Sequence, residues 1–157
     1  MAKCGYSVMM LAPVGLVAAT EKSVLGVLAP ATFGLELKKI RVGLYGISAS
    51  GVPGDIQLCA ATFATNPPGS GAATTVPPRQ LYGRDVAAGF TAATNWSAEP
   101  TVLTVIDAFP LSPNGGLVMY DIPLGDTPDC APNTGFVLRA KYATAVSISA
   151  GFWVERA

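Results

Sequence analysis

The sequence predicts an all-β protein, a β-sandwich or barrel in a single domain, with about eight to ten strands and little or no helix. The 17 glycines and 13 prolines are spread along the chain and separate short segments rich in Val, Ile, Thr, Leu and aromatic residues, which is typical of strands joined by turns. No long window combines a helical apolar repeat with capping residues and freedom from Gly and Pro. No long internal repeat is present, which argues against solenoids and propellers.

Residues 1–17 are predicted to form an apolar arm or a first strand, ahead of a sandwich domain at residues 18–157. The largely apolar stretch Tyr6–Ala19 follows Lys3 and imitates a secretory signal, but Pro13 and Gly15 interrupt it. It is too short to cross a membrane as a helix. We therefore interpret it as part of the folded protein, and we expect its removal to weaken attachment to a partner while the β-rich fold remains.

Three strands are predicted in the first half of the domain, at Ser23–Leu28, Phe33–Tyr45 and Asp55–Ala64. In the second of these, apolar residues alternate with charged ones, and the alternation slips by one residue at Lys38-Lys39. Such a slip predicts a β-bulge. The basic side chains around it are interpreted as the solvent side of the strand.

A polar loop at Thr65–Thr75 is rich in Gly, Pro, Ser and Asn, and is expected to lie on the surface. The Asn-Gly pair within Pro113–Gly116 predicts a hairpin turn. Six more strands are predicted: Val76–Tyr82, Ala88–Asn95, Val102–Phe109, Gly116–Ile122, Gly135–Tyr142 and Ala145–Glu155.

The residue types argue against the common catalytic and metal sites. The chain has no histidine, which excludes Ser-His-Asp and Cys-His nucleophilic sites and the usual zinc patterns. Most carboxylates adjoin turn residues, where they cap turns or stay solvated. Asp121, Asp126 and Asp129 do not have the spacing of an EF-hand and are interpreted as a tight corner. The sequence therefore predicts no enzyme, no cofactor and no metal.

The low charge content points to protein partners. Only 13% of residues are charged and the formal net charge is zero, whereas an ordinary soluble domain is about a quarter charged. Without a basic surplus, neither nucleic acid nor an anionic membrane is an expected partner. Much of the surface is instead expected to be hidden against other protein.

The three cysteines, Cys4, Cys59 and Cys130, are odd in number and widely spaced. This pattern favours free thiols in a reducing compartment, acting as small apolar residues. One disulfide with a spare cysteine remains the alternative.

Several segments, in their order along the chain, resemble the β-sandwich decoration (cement) proteins of tailed bacteriophage capsids. The resemblance implies a jelly-roll-like fold, assembly as a trimer, the major capsid protein as partner and no catalytic residues. The segments that carry it are AATEKSVLGVLAP at Ala18–Pro30, LELKKIRVGLY at Leu35–Tyr45, NWSAEP at Asn95–Pro100, FPLSPNGG at Phe109–Gly116, YDIPLG at Tyr120–Gly125, GFVLR at Gly135–Arg139 and the closing Ala145–Glu155.

The function expected from this resemblance is that of a virion structural protein. It would be assembled in the bacterial host cytoplasm, bind the outside of the capsid and reinforce contacts between major capsid proteins. The segment before residue 18 is expected to supply contacts with the shell or a neighbouring subunit, together with an aromatic at a strand end. The candidate contact residues are Tyr6, Val8, Met9, Met10, Leu11 and Trp96.

Two alternatives belong to other classes. A carbohydrate- or receptor-binding jelly-roll module of a phage head or tail fibre would need exposed aromatics, and Trp96 is its candidate. The other aromatics, including Trp153, are interpreted as core. A shell-forming coat protein is disfavoured because such subunits commonly carry a basic arm for nucleic acid, and the sequence shows none.

Overall fold

A computed structural model describes residues 4–45, 50–83 and 85–157, so residues 1–3 of the predicted arm lie outside the described residues. Within these ranges all regular structure is strand, and no helix is long and apolar enough to cross a membrane. The strands are β1 (Gly5–Met9), β2 (Val14–Leu16), β3 (Lys22–Leu28), β4 (Leu35–Tyr45), β5 (Gly54–Ala61), β6 (Thr74–Thr75), β7 (Arg79–Tyr82), β8 (Thr91–Thr94), β9 (Leu103–Leu111), β10 (Val118–Asp121), β11 (Asp129–Cys130), β12 (Gly135–Lys141) and β13 (Val146–Arg156).

The strands form two antiparallel sheets that pack face to face, which confirms the predicted β-sandwich. Sheet A has the order β10-β4-β13-β1-β7, with β2 beside β13 and β11 beside β4. Sheet B has the order β6-β8-β3-β12-β5-β9. The core between the sheets comes from alternate residues of each strand, such as Leu35, Leu37, Ile40 and Val42 of β4, as expected for strands with one buried face.

Eight of the strands pair in a nested pattern, first with last. β1 pairs with β13, β3 with β12, β4 with β10 and β5 with β9. Successive strands of this set alternate between the sheets, except for β5 and β9, which are neighbours in sheet B. A long antiparallel ribbon rolled up in this way is the jelly-roll arrangement.

The segment between β5 and β9, residues 62–102, is inserted into the turn of that ribbon. Its strand β7 pairs with β1 and extends sheet A, while β8 pairs with β3 and extends sheet B. One side of the sandwich is therefore widened by the insertion. The opposite side ends at β9 in sheet B and β10 in sheet A.

The predicted β-bulge is present. Trp153 of β13 pairs with Lys39, whereas the next residue, Val154, pairs with Leu37. Lys38 is therefore the extra residue of β4. Because both lysines follow a buried leucine and precede the buried Ile40, the bulge directs two consecutive basic side chains to the outer face of sheet A.

The N-terminal segment is an interior part of sheet A. β1 lies between β13 and β7, and Tyr6 and Val8 pair with Val154 and Phe152 in the core. The expectation that residues 1–17 could be removed without loss of the fold is therefore corrected. Deletion would take out a strand that two other strands hydrogen-bond.

Candidate docking surfaces

The predicted contact residues of the N-terminal segment fall into two groups. Tyr6, Val8 and Met10 are buried, with 1%, 0% and 6% of their surface exposed. These three side chains belong to the chain's own core and are not presented to a partner. Met9 is partly exposed on the outer face of sheet A, and Leu11 is 87% exposed in the turn between β1 and β2.

Trp96 is buried as well, with 2% of its surface exposed. It lies on the outer face of sheet B above Gly26, where an added Cβ would stand 2.8 Å from the indole ring. The indole N–H donates to the carbonyl of Asn66, at 2.9 Å. Because this indole is enclosed by its own chain, it cannot stack on a sugar, and the glycan-binding alternative loses its candidate aromatic.

The segment at residues 62–102 forms the cover over Trp96. Phe63 packs with Cys59, Ala61 and Val137 in a small apolar cluster, separate from the main core. The carboxylate of Glu99 accepts hydrogen bonds from the Ser23 amide at 3.0 and 3.1 Å, which ties the cover to the start of β3. The part of the outer face of sheet B around Gly26, Cys59 and Val137 is thus closed by the chain itself.

On the outer face of sheet A, no segment of the described ranges forms a comparable cover. Trp153 of β13 is partly exposed there, which corrects the interpretation of this residue as core. The ammonium of Lys39 and the guanidinium of Arg41 lie 5.5 and 5.8 Å from the centre of its ring, within the range of a cation–π contact. Met9, Met119 and these three side chains form what we call the cationic face.

The alternation of β13 contains the signal for this face. Phe152 and Val154 are buried, so the residue between them must point away from the core. The same parity argument places Arg41 outward, between the buried Ile40 and Val42. Trp153 was nevertheless interpreted as core, because large aromatic side chains are usually buried.

A charged cluster at the bulge stabilises one end of the cationic face. The Lys38 ammonium lies 2.5 Å from a carboxylate oxygen of Glu36 and 3.4 Å from one of Glu155. The hydroxyl of Tyr82 donates to the Glu155 carboxylate. Burial, together with this carboxylate, raises the pKa of Tyr82 to about 12. The cluster joins β4, β13 and β7, so its role is structural.

Exposed apolar side chains concentrate on the side of the sandwich opposite the insertion. Among the described residues, 13 large apolar side chains are exposed, and seven of them lie between residues 102 and 124. Single exposed apolar residues are ordinary, but a concentration of them along two edge strands is a candidate interaction surface. The seven are Val102, Val105, Ile106, Leu117, Met119, Tyr120 and Leu124.

A groove runs between the two edge strands of that side. It has a volume of about 480 Å³, and its apolar wall includes Leu58, Ile106, Tyr120, Ile122 and Phe136. Its rim bears the carboxylates of Asp107, Asp126 and Asp129 and no basic side chain. We call it the acidic groove.

Asp121, Asp126 and Asp129 were predicted to lie together in a tight corner. In the structure they do not share one role. Asp121 forms an ion pair with Lys39 at 2.6 Å. Asp126 lies in a tight turn, its amide donating to the Pro123 carbonyl at 3.1 Å. In the described ranges, no group of three or more His, Cys, Asp or Glu side chains is arranged to hold a metal ion.

None of the three cysteines forms a disulfide, and Cys4 and Cys59 are buried. The prediction of thiols outside any disulfide is therefore confirmed. Burial raises the pKa of the Cys59 thiol to about 11. A thiol held protonated in this way is a poor nucleophile at neutral pH.

Comparison of the chain with protein-family models, with curated proteins and with solved structures finds no match.

Proposed function

We propose that this protein is a virion structural protein that binds the outside of a bacteriophage capsid and reinforces contacts between major capsid proteins, as a homotrimer. The proposal starts from the resemblance of the strand segments to capsid decoration proteins. A sandwich with a closed core provides a rigid platform for such a role. The surface features described above supply contacts with other protein on more than one side.

One observation supports an assembly role above the others. The exposed apolar side chains are concentrated between residues 102 and 124, on the side that the insertion leaves open. Long edge strands with exposed apolar residues invite pairing or docking, and proteins commonly blunt or cover them. Here β9 carries exposed Val105 and Ile106, and β10 carries exposed Met119 and Tyr120. Another protein subunit that covers this side would prevent non-specific association at these edge strands.

A second contact is proposed at the turn between β1 and β2. Leu11 extends from it, 87% exposed, beside a cavity of about 230 Å³ lined by Pro13, Thr75 and Pro77. This turn lies outside the β9–β10 side. It is therefore free to contact the shell while the other side contacts a neighbouring subunit.

Co-sedimentation with purified phage heads that lack the protein tests the proposal. We expect the wild-type protein to pellet with expanded heads and its free form to have about three times the chain mass of 16.1 kDa. A protein that stays monomeric and shows no affinity for the heads would contradict the proposal.

Leu11→Asp localises the shell contact in the same assay. The substitution should weaken binding to heads while the free oligomer and the unfolding midpoint are unchanged, because Leu11 makes little contact with its own core. Val52→Asp is the matched control, since Val52 is 57% exposed in another loop. Equal binding by both variants would remove the turn from the interface.

A further inference from the structure

The carboxylates of the acidic groove have no cationic partner among the described residues. Its rim carboxylates, Asp107, Asp126 and Asp129, form no ion pair with any described residue. One of them is held in place, since an Asp107 carboxylate oxygen accepts the Ala108 amide at 2.8 Å. Asp107 pairs across the ladder with the buried Leu58, so its carboxylate borders the apolar wall of the groove. The surface therefore suits a partner that combines apolar area with positive charge.

The cationic face has the opposite character. Of its two cations, Lys39 is paired with Asp121, whereas Arg41 forms no ion pair with any part of the chain that the structure describes. Its guanidinium stands over a partly exposed indole, so charge and apolar surface are offered together. A planar guanidinium next to an aromatic ring is well suited to bind a carboxylate at an interface.

The two surfaces meet along one strand. In β10, Met119 pairs with Arg41 and lies on the cationic face, while Tyr120 pairs with Ile40 and lines the acidic groove. Each copy thus carries two complementary surfaces, which lie on opposite sides of β10. Head-to-tail contacts of this kind close into a ring when the rotation between copies permits.

We propose that the acidic groove of one copy receives the cationic face of a second copy, so that Arg41 and Trp153 dock against the carboxylates and apolar wall beside β9 and β10. This inference rests on the homo-oligomer of the proposed function and names the surfaces that form it. The second copy is favoured over another protein because both halves of the match are present on the same chain: the Arg41 guanidinium beside an indole on one surface, and carboxylates beside an apolar wall on the other. The formal net charge of zero leaves no general repulsion between copies.

Charge reversal tests each surface separately. Arg41→Glu alters the cationic face, and the double variant D107K/D126K alters the groove. Each should weaken self-association by roughly 30-fold or more, because the reversed charge would meet its like in a contact that excludes water. Lys141→Glu is the control, since Lys141 is exposed on β12 outside both surfaces. The readout is the native mass over a range of concentrations, with circular dichroism to establish that each variant is folded.

Mixing the two defective variants gives the decisive measurement. The Arg41→Glu copy keeps an intact groove and the groove variant keeps an intact cationic face, so these two surfaces can form one native interface. The two reversed surfaces also carry opposite charges, so the mixture should contain mixed dimers and larger alternating oligomers that neither variant forms alone. A mixture that stays monomeric, or single variants that keep the wild-type mass, would overturn the proposal.

Binding to heads separates this inference from the function it rests on. A wild-type protein that is monomeric yet pellets with heads would overturn the contact between copies and leave shell binding standing. Loss of head binding by the groove variant, with a monomeric wild type, would assign the groove to the shell protein and also overturn the inference. Loss of shell binding with the mixed dimer intact would contradict only the capsid role.

Discussion

The two outer faces of the sandwich differ in what covers them. On sheet B the insertion at residues 62–102 lies over the strands, and its own Trp96 and Phe63 are buried against them. On sheet A the equivalent surface is open, and Trp153 stands partly exposed between two cations. One tryptophan therefore serves the stability of the chain, while the other is available to a partner. The difference shows that residue type alone does not separate a structural aromatic from an interface aromatic.

Replacing each tryptophan in turn is the largest test of the difference between the two faces. Trp96→Ala should lower the free energy of unfolding by about 3–5 kcal/mol, because it empties a buried site and leaves the Asn66 carbonyl without its donor. Trp153→Ala should cost less, about 2 kcal/mol, from the lost cation–π contacts and the partial burial of the ring. Denaturant unfolding of both variants measures the difference. Equal losses would mean that the two faces are equally structural.

The pH dependence of the free energy of unfolding tests whether the cover keeps the Cys59 thiol from water. Its folded pKa of about 11 lies above its ordinary value of 9.0 because of burial, so the folded state keeps a proton that the unfolded state releases. The resulting stability is fully present below about pH 9 and is lost as the pH rises through 11. At pH 10.5 the loss should reach about 2 kcal/mol.

Cys59→Ala should flatten this dependence by that amount when unfolding is compared at pH 7 and pH 10.5. Tyr142, whose pKa burial raises to about 12, is unaltered in the variant, so its contribution cancels in the comparison. A pH dependence identical to that of the wild type would show that the cover does not keep the thiol from water.

Gly26→Ala tests the packing of the cover on sheet B with a smaller expected loss of stability. The added Cβ would stand 2.8 Å from the Trp96 ring and 3.2 Å from the Phe136 carbonyl oxygen, so either the indole or the strand must shift. We expect a loss of about 1 kcal/mol or more in the free energy of unfolding. Gly15→Ala is the control, because nothing lies within 4 Å of its added Cβ. Similar stabilities for both variants would mean that the cover yields easily.

The sequence was sufficient for features that depend on neighbouring residues. The slip of alternation at Lys38-Lys39 predicted the bulge, and the punctuation by Gly and Pro predicted the strand segments and the sandwich. In both cases the determining pattern lies within about ten residues, the range over which period-2 alternation can be read.

The features that the sequence did not reveal depend on distant pairings. The burial of Trp96 depends on Gly26, some 70 positions earlier, and on a loop that was expected only to lie on the surface. The apolar residues around Tyr6 suggested a contact with another protein, but their partner is β13 of the same chain. Apolar content shows that a surface must be hidden, and only the fold shows whether the chain itself hides it.

The position of β13 has a consequence for how the chain acquires its structure. This strand is the centre of sheet A, hydrogen-bonded to β4 on one side and β1 on the other. While a ribosome is still making the segments before it, β1 and β4 have no common partner and expose the apolar sides that later form the core. Sheet A can close only after β13 emerges, so productive folding waits for this strand and is slow compared with that of local helical folds.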